Sequence, residues 1–564
     1  MADVVAEVDL LVQDGSLALA QTAMPGGAAV KEKKELRLSG DVNDRFLDGP
    51  ACRRIAVVDF DPATGLPSPP PATFTPFKSN PRSGTYVADG GENSAANIAI
   101  NAFGTVFQTV RMFEGPDALG RQVDWAFGSE QLLVVPRAGE WANAFYERAT
   151  RSLQFFSFAG ESGARVHTAL SRDIVAHECG HALLDAVAPS LYDSSTPQSV
   201  AIHEAVADLV AVIMALDSRR LREAVLARSD NLLAGQNAFT AIAEEFGMAR
   251  PGADGVARHA LRELENDETL ETLSGARPHI LSTLLSAIFY NTLSVVFAKL
   301  FEDTQRPDAD GVTPAPAAAA NRALGTAQIV FRRFLLRGID YLPPGELSFA
   351  DVGRATLAAD RAARPAASKV RESFAHQFVE RLVVTTAEQL DSPQPQSLAV
   401  PADQVASLHA SDWVAYQYAT RHRSTLGVPD GVSFTVLPRV DSTKVIGAKG
   451  ADGVAPVQRE LIVKVAWNDA EDAAGNVDRT RVVPTGATVV LKWDTGECLA
   501  LVRSDVSEVE HRRDRDRLLK QLEEDGVLET GDDADVGASV GLRGNGDSGL
   551  RASHRLLHLT GWDE

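Results

Sequence analysis

Residues 171–181 read Ser-Arg-Asp-Ile-Val-Ala-His-Glu-Cys-Gly-His. On a helix, His177 and His181 stand one turn apart on one face, so both imidazoles can reach one ion. Glu178 then points beside that ion, where it can take a proton from a water. The Ser171-Arg172-Asp173 start before the apolar residues 174–176 predicts a helix that begins here. The pentapeptide alone does not decide the matter, since the His and Glu content gives about 0.02 chance matches in a chain of this length. A second stretch completes the pattern. Residues 201–208 read Ala-Ile-His-Glu-Ala-Val-Ala-Asp, within an amphipathic helical run that continues to Leu216. A catalytic zinc commonly takes three protein ligands and leaves one position for water. Glu204, 23 residues after His181, is placed to be the third ligand from a neighbouring helix. Asp208 lies one turn further on the same face, where it can accept the second N–H of a ligand histidine and fix its tautomer. His203 points elsewhere on that helix, and Cys179 reads as a small buried filler.

Outward from these stretches, residues 171 to about 384 are mostly helical in pattern. A Pro/Ala loop breaks the pattern at 306–320, where Pro307, Pro314 and Pro316 forbid a regular helix. Upstream, residues 53–60, 131–136 and 151–158 read as strands and 95–115 as a helix. Residues 1–50 are weakly patterned. Residues 391–402 (DSPQPQSLAVPA) have linker composition. Beyond them, 432–437, 460–467, 488–493 and 499–503 read as strands separated by Gly, Asp and Asn turns. A charged helix over 506–522 and a glycine-rich acidic tail end the chain. The resulting division is 1–50, an N-terminal segment; 51–175, a β-containing region; 176–385, a helical region; 386–402, a linker; 403–505, a β-rich module; and 506–564, the helix and tail. No internal repeat is found.

The 564 residues allow three or four domains at roughly 150 residues each. With 45% apolar and 23% charged residues, a disordered chain, collagen and a coiled-coil rod are excluded. Acids outnumber bases 76 to 55, so a basic face for nucleic acid or an anionic membrane is not expected. Cys52, Cys179 and Cys498 form no CxxC, which argues against a disulfide scaffold and a zinc ribbon. Asp3, Glu7, Asp9 and Asp14 interrupt any apolar signal core, and no basic residue precedes Lys31. Cytoplasmic placement, or export without such a signal, is therefore expected. The uncharged run 280–298 carries enough Ser, Thr and Asn to read as a buried core helix rather than a membrane span.

The pair HECGH and HEAVAD resembles the thermolysin and fungalysin type of gluzincin metallopeptidase, in which HExxH is followed about twenty residues on by an Asn-Glu-Ala-x-x-Asp-like helix. The resemblance covers roughly residues 85–385. It implies an α+β fold of two lobes, with a β-containing N-terminal lobe at 51–175 and a mainly helical C-terminal lobe at 176–385. The β-rich C-terminal module is extra to that fold. The resemblance also implies one catalytic Zn²⁺ held by His177, His181 and Glu204, with Glu178 as general base and then acid, and Asp208 orienting His177. WANAFY at 141–146 resembles the family's edge strand, so Asn143 and Ala144 would bind the substrate backbone by strand addition. The segment 277–290 resembles the helix that carries an oxyanion-stabilising histidine, here His279. Tyr192 resembles a tyrosine that assists it. Residues 260–264 resemble a segment whose arginine, here Arg262, binds a substrate carbonyl.

The chain departs from the family at several positions. His203 and Leu281 stand where the family has Asn, and three extra residues separate Tyr192 from Glu204. The acidic residues of the family's double calcium site do not follow Asp208, so structural calcium is not expected. The expected function is that of a zinc-dependent metalloendopeptidase acting on proteins or peptides, with neither nucleic acid nor membrane as partner. The sequence sets no oligomeric state. A zinc-bound, non-catalytic scaffold working through residues 403–505 and the charged tail is the alternative. An aminopeptidase would need a GAMEN-like strand, which is not seen.

Overall fold

Alternation builds the first sheet. The computed structural model describes residues 3–13, 30–39, 43–61, 64–88, 90–160, 163, 165–192, 194, 196–233, 239, 241–242, 262–307, 313–447, 453–469, 474, 483–505, 509–524, 528–529 and 540–541. Strand β1 (Val4–Gln13) buries Val4, Ala6, Val8 and Leu10 and exposes Glu7 and Asp9 between them. That is the period-two pattern of a strand with one face on a core. It pairs antiparallel with β2 (Val30–Leu38), so the first fifty residues, weakly patterned as read, carry two strands. Glu7 and Asp9, two of the acids that break a signal-like apolar run, are outward positions of β1. Three more strands follow: β3 (Ile55–Val57), β4 (Phe74–Phe77) and β5 (Asn80–Tyr86). The first sheet has the order β2-β1-β5-β4, with β5 parallel to β1.

The helix expected at 95–115 is Ala95–Glu114, capped by the Ser94 side chain. After it come β6 (Leu132–Val135), β7 (Ala144–Glu147) and β8 (Ser152–Phe155). The second sheet runs β3-β6-β8-β7 and puts β7 at one edge of the described strands. Two short pairs follow, β9 (Ser157–Ala159) with β10 (Arg165–His167), and β11 (Ala241–Ile242) with β12 (Arg262–Glu263).

The helical layer contains Arg172–Val187, Pro197–Leu216, Pro278–Thr304, Pro316–Tyr341, Phe349–Ala363 and Lys369–Glu380. Three of these start on proline, including Pro316, which lies inside the expected loop at 306–320. Proline in the first turn costs nothing because its missing N–H has no helical partner there. Pro197–Leu216 and Pro278–Thr304 are long and apolar enough to cross a membrane by composition, yet 94% and 72% of their most apolar windows are buried within this fold.

The stretch read as a linker is pinned down. Leu390 and Leu398 are buried, Ser392 Oγ donates to Leu501 O at 2.6 Å, and Val400 N donates to Gly496 O at 3.0 Å. Helices Ala402–Ala410, Asp412–Arg421 and Arg423–Leu426, which the strand pattern does not announce, precede the last large sheet. That sheet is β13 (Phe434–Val436), β14 (Val440–Val445), β15 (Val457–Asp469), β16 (Val483–Lys492) and β17 (Cys498–Arg503). Its order is β13-β15-β16-β17, with β14 also on β15. Both of its faces are covered. Ile462, Val490, Ala500 and Val502 join the core that holds the helical layer. Leu461, Val463, Val465, Val489 and Leu491 form a second core with Val405, Leu408 and Ala419 of the short helices. The protein is thus mixed α+β with several sheets. The charged helix spans Val509–Glu524. The acidic tail expected after it lies almost wholly outside the described residues.

Candidate metal centre

Two neighbouring helices carry the centre, Arg172–Val187 with the HECGH sequence and Pro197–Leu216 with Glu204. Neither presents a polar face to solvent, because both are buried nearly all round, their polar residues included. They touch at Gly180, where an added Cβ would lie 3.1 Å from Ala207 Cα and 3.3 Å from Val210 Cβ. Small residues at this crossing bring the ligand side chains within reach of one another.

His177, His181 and Glu204 offer ligand atoms that all lie within 4.8 Å of one another. The two Nε2 atoms are 3.0 Å apart. Glu204 reaches them at 3.5 Å from His177 and 3.6 Å from His181. Asp208 stands 2.9 Å from His177 Nδ1. A carboxylate there keeps the proton on Nδ1 and leaves the Nε2 lone pair for the cluster. His181 Nδ1 is 2.7 Å from His203 Nδ1, and the two rings stack. His203 therefore backs His181 as Asp208 backs His177. Burial opposes ionisation of Glu204, but His279, His181 and His177 outweigh it and hold the carboxyl well below the usual range.

Glu178 is buried, and its Oε2 accepts from Tyr146 N on β7 at 3.0 Å. Asn143 immediately precedes that strand and Ala144 begins it, and Asn143 Oδ1 accepts from Ala144 N at 2.8 Å. His279 lies at the start of Pro278–Thr304, with Nε2 3.0 Å from Glu204 Oε2. Tyr192 sits one ring further out. It packs against His203 and Tyr146, lies under the Arg148 guanidinium, and accepts from Arg148 N at 3.4 Å. Arg262 has its backbone in β12, and its side chain lies outside the described residues. Cys179 is fully buried, and burial pushes its thiol pKa up, as suits a filler.

One network escapes the sequence reading. Asp185, on the HECGH helix, is fully buried and accepts from Tyr146 OH at 2.8 Å and Arg148 Nε at 2.9 Å. Tyr146 thus joins β7 to both Glu178 and Asp185.

Two imidazoles with fixed outer partners and one ionised carboxylate form a buried group that can hold a metal ion, and zinc suits this donor set. No family model matches the chain, and no curated protein matches it either.

Proposed function

We propose that the chain is a zinc-dependent metallopeptidase that cleaves internal peptide bonds. One observation carries the reading: Glu178 lies between the two histidines of the metal-binding group in sequence while its carboxylate is held by an edge strand. A group that only stored a metal would need neither feature. Zinc, when bound, supplies a Lewis acid that polarises the scissile carbonyl and acidifies a water.

The chain's own residues do the rest. An extended substrate pairs along the outer edge of β7, near Asn143 and Ala144. Glu178 removes the proton of the attacking water and passes it to the leaving amine, while the Tyr146 N–H keeps its carboxylate in place. His279 gives an N–H to the developing oxyanion. Asp208 and His203 hold the ligand imidazoles. Tyr192, tied to Arg148 and packed behind His203, supports the wall of the site.

The test uses the purified full chain. Glu178→Gln should keep stoichiometric zinc and lose cleavage of an unfolded protein by roughly 10²–10⁴-fold. Equal cleavage by the variant sinks the mechanism. A zinc-loaded wild type that leaves unfolded proteins and a peptide library intact sinks the peptidase reading and favours the scaffold.

A further inference from the structure

The two ligand helices are joined by residues 188–196, and that connection is fastened from outside. Val187 is the last residue of the HECGH helix, and its carbonyl accepts from Lys464 Nζ at 3.4 Å. Lys464 belongs to β15, is 7% exposed, and lies on the same strand face as Glu460 and Ile462. A helix C-terminus leaves its last carbonyls unpaired and carries partial negative charge, so a buried cation is suited to that end.

The start of the Glu204 helix is held in the opposite sense. Thr196 is its N-cap residue, and Glu346 Oε2 accepts both Thr196 N at 2.9 Å and Thr196 Oγ1 at 2.6 Å. Ser199, in the first turn, accepts from Leu347 N at 2.6 Å and donates to Leu347 O at 2.9 Å. Gly345 N donates to Ser190 Oγ at 2.7 Å, inside the connection itself. The segment that supplies Gly345, Glu346 and Leu347 rests in turn on the C-terminal sheet. Glu346 N donates to Pro484 O at 2.8 Å, and Ser504 Oγ donates to Glu346 O at 2.8 Å. Gly345, at φ +102°, has no room for a Cβ against the Pro484 carbonyl.

We propose that Lys464 and Glu346 are positioning residues for the metal centre, and that the C-terminal sheet sets the spacing of the two ligand helices through them. Lys464 fixes the end of the helix that carries His177 and His181. Glu346 fixes the beginning of the helix that carries Glu204. Neither residue is one of the donors, which are His177, His181 and Glu204. Each supplies the charge that its helix end favours, and both are anchored in or on β15–β17. The region the family resemblance leaves unmatched is thereby a working part of the centre. This inference rests on the metal-centre reading above.

The test measures zinc affinity of the full chain by competition with a chromogenic chelator, and reads ligand geometry from the visible spectrum of the cobalt-substituted protein. Lys464→Met and Glu346→Ala should weaken zinc by about tenfold or more per folded molecule and alter the cobalt spectrum. Lys464→Arg and Glu346→Gln should recover most of both. Lys444→Met is the control: it removes a buried lysine of the same sheet whose partners are Asp340 and Glu460, and it should leave zinc affinity and spectrum unchanged. Folded Lys464→Met and Glu346→Ala with wild-type affinity and spectrum overturn the inference, as does a Lys444→Met loss of equal size. Should one truncating variant fail to fold, the other decides. A wild type that binds no zinc overturns the metal reading itself, whereas a zinc-binding wild type with unaltered variants overturns only the clamp.

Discussion

Gly180 is the point at which the distance between the ligand helices is decided. The third and fourth residues of HECGH are free by zinc chemistry, so nothing in metal ligation requires glycine there. Packing requires it: an alanine Cβ would lie 3.1 Å from Ala207 Cα, and backbone has to yield. Intrinsic helix propensity favours alanine by about 1 kcal/mol, while overpacking costs about 1–3 kcal/mol. The second term acts on the crossing itself, so it separates His177 and His181 from Glu204. Gly180→Ala should therefore weaken zinc by about tenfold with little change in helix content. Chelator competition with circular dichroism checks it, and unchanged affinity would show that the helices have slack. That His177, His181 and Glu204 come together was legible because metal chemistry dictates residue type and helix geometry dictates spacing. The partners of Asp185 were not: Tyr146 and Arg148 lie 39 and 37 residues away in sequence, a separation with no periodic signal.

At the scale of elements, legibility followed the environment of each face. Residues 460–467 read correctly as strand, but their alternation suggests a solvated face that does not exist. Glu460 and Lys464, the polar positions, are 2% and 7% exposed and point toward the helical layer. Alternation reports two faces that differ; it does not say that the polar one is wet. In the first fifty residues the same ambiguity worked the other way, and genuine outward acids of β1 concealed a strand. The burial of Lys464 has a measurable consequence. Its pKa is lowered to about 8 because burial disfavours the charged form, Arg121 and Lys444 add repulsion, and Asp340 only partly compensates. Below pH 8 the lysine is charged in both folded and unfolded chains. Above it the native protein releases the proton first, so the unfolded chain binds more protons and native stability rises with pH until the unfolded lysine titrates near its ordinary value of 10.5. Wild type should thus gain up to about 3 kcal/mol over Lys464→Met between pH 8 and 10.5. Denaturant melts of the two proteins across that window test it, and a constant difference would place the amine in water.

For the whole molecule, the question is whether residues 1–390 are a unit to which a module has been added. A family resemblance over 85–385 encourages that view, and the proline-rich composition of 391–402 suggests a hinge. The packing argues otherwise. Asp340, 1% exposed, lies between Arg121 at 2.7 Å and Lys444 at 2.9 Å, and Tyr341 OH donates to Glu460 at 3.0 Å. Burial opposes its ionisation, but Arg121 and Lys444 hold its carboxyl well below the usual range. Removing the sheet would strip the Lys444 ammonium from this carboxylate and uncover the core that Ile462, Val490, Ala500 and Val502 complete. Breaking a buried pair by deleting one partner costs about 3–5 kcal/mol, against a total stability of about 5–15 kcal/mol for a typical domain. The lost apolar cover adds to that cost. A chain ending at residue 390 should therefore be insoluble, or lack a cooperative thermal transition, even with zinc present. Lys444→Met in the full chain, which keeps the apolar cover, should lower the melting temperature and still unfold cooperatively. Calorimetry on both separates the two contributions. A 1–390 fragment that melts cooperatively at the full-length temperature would establish the C-terminal sheet as an independent domain, and would remove the physical basis for its hold on the ligand helices.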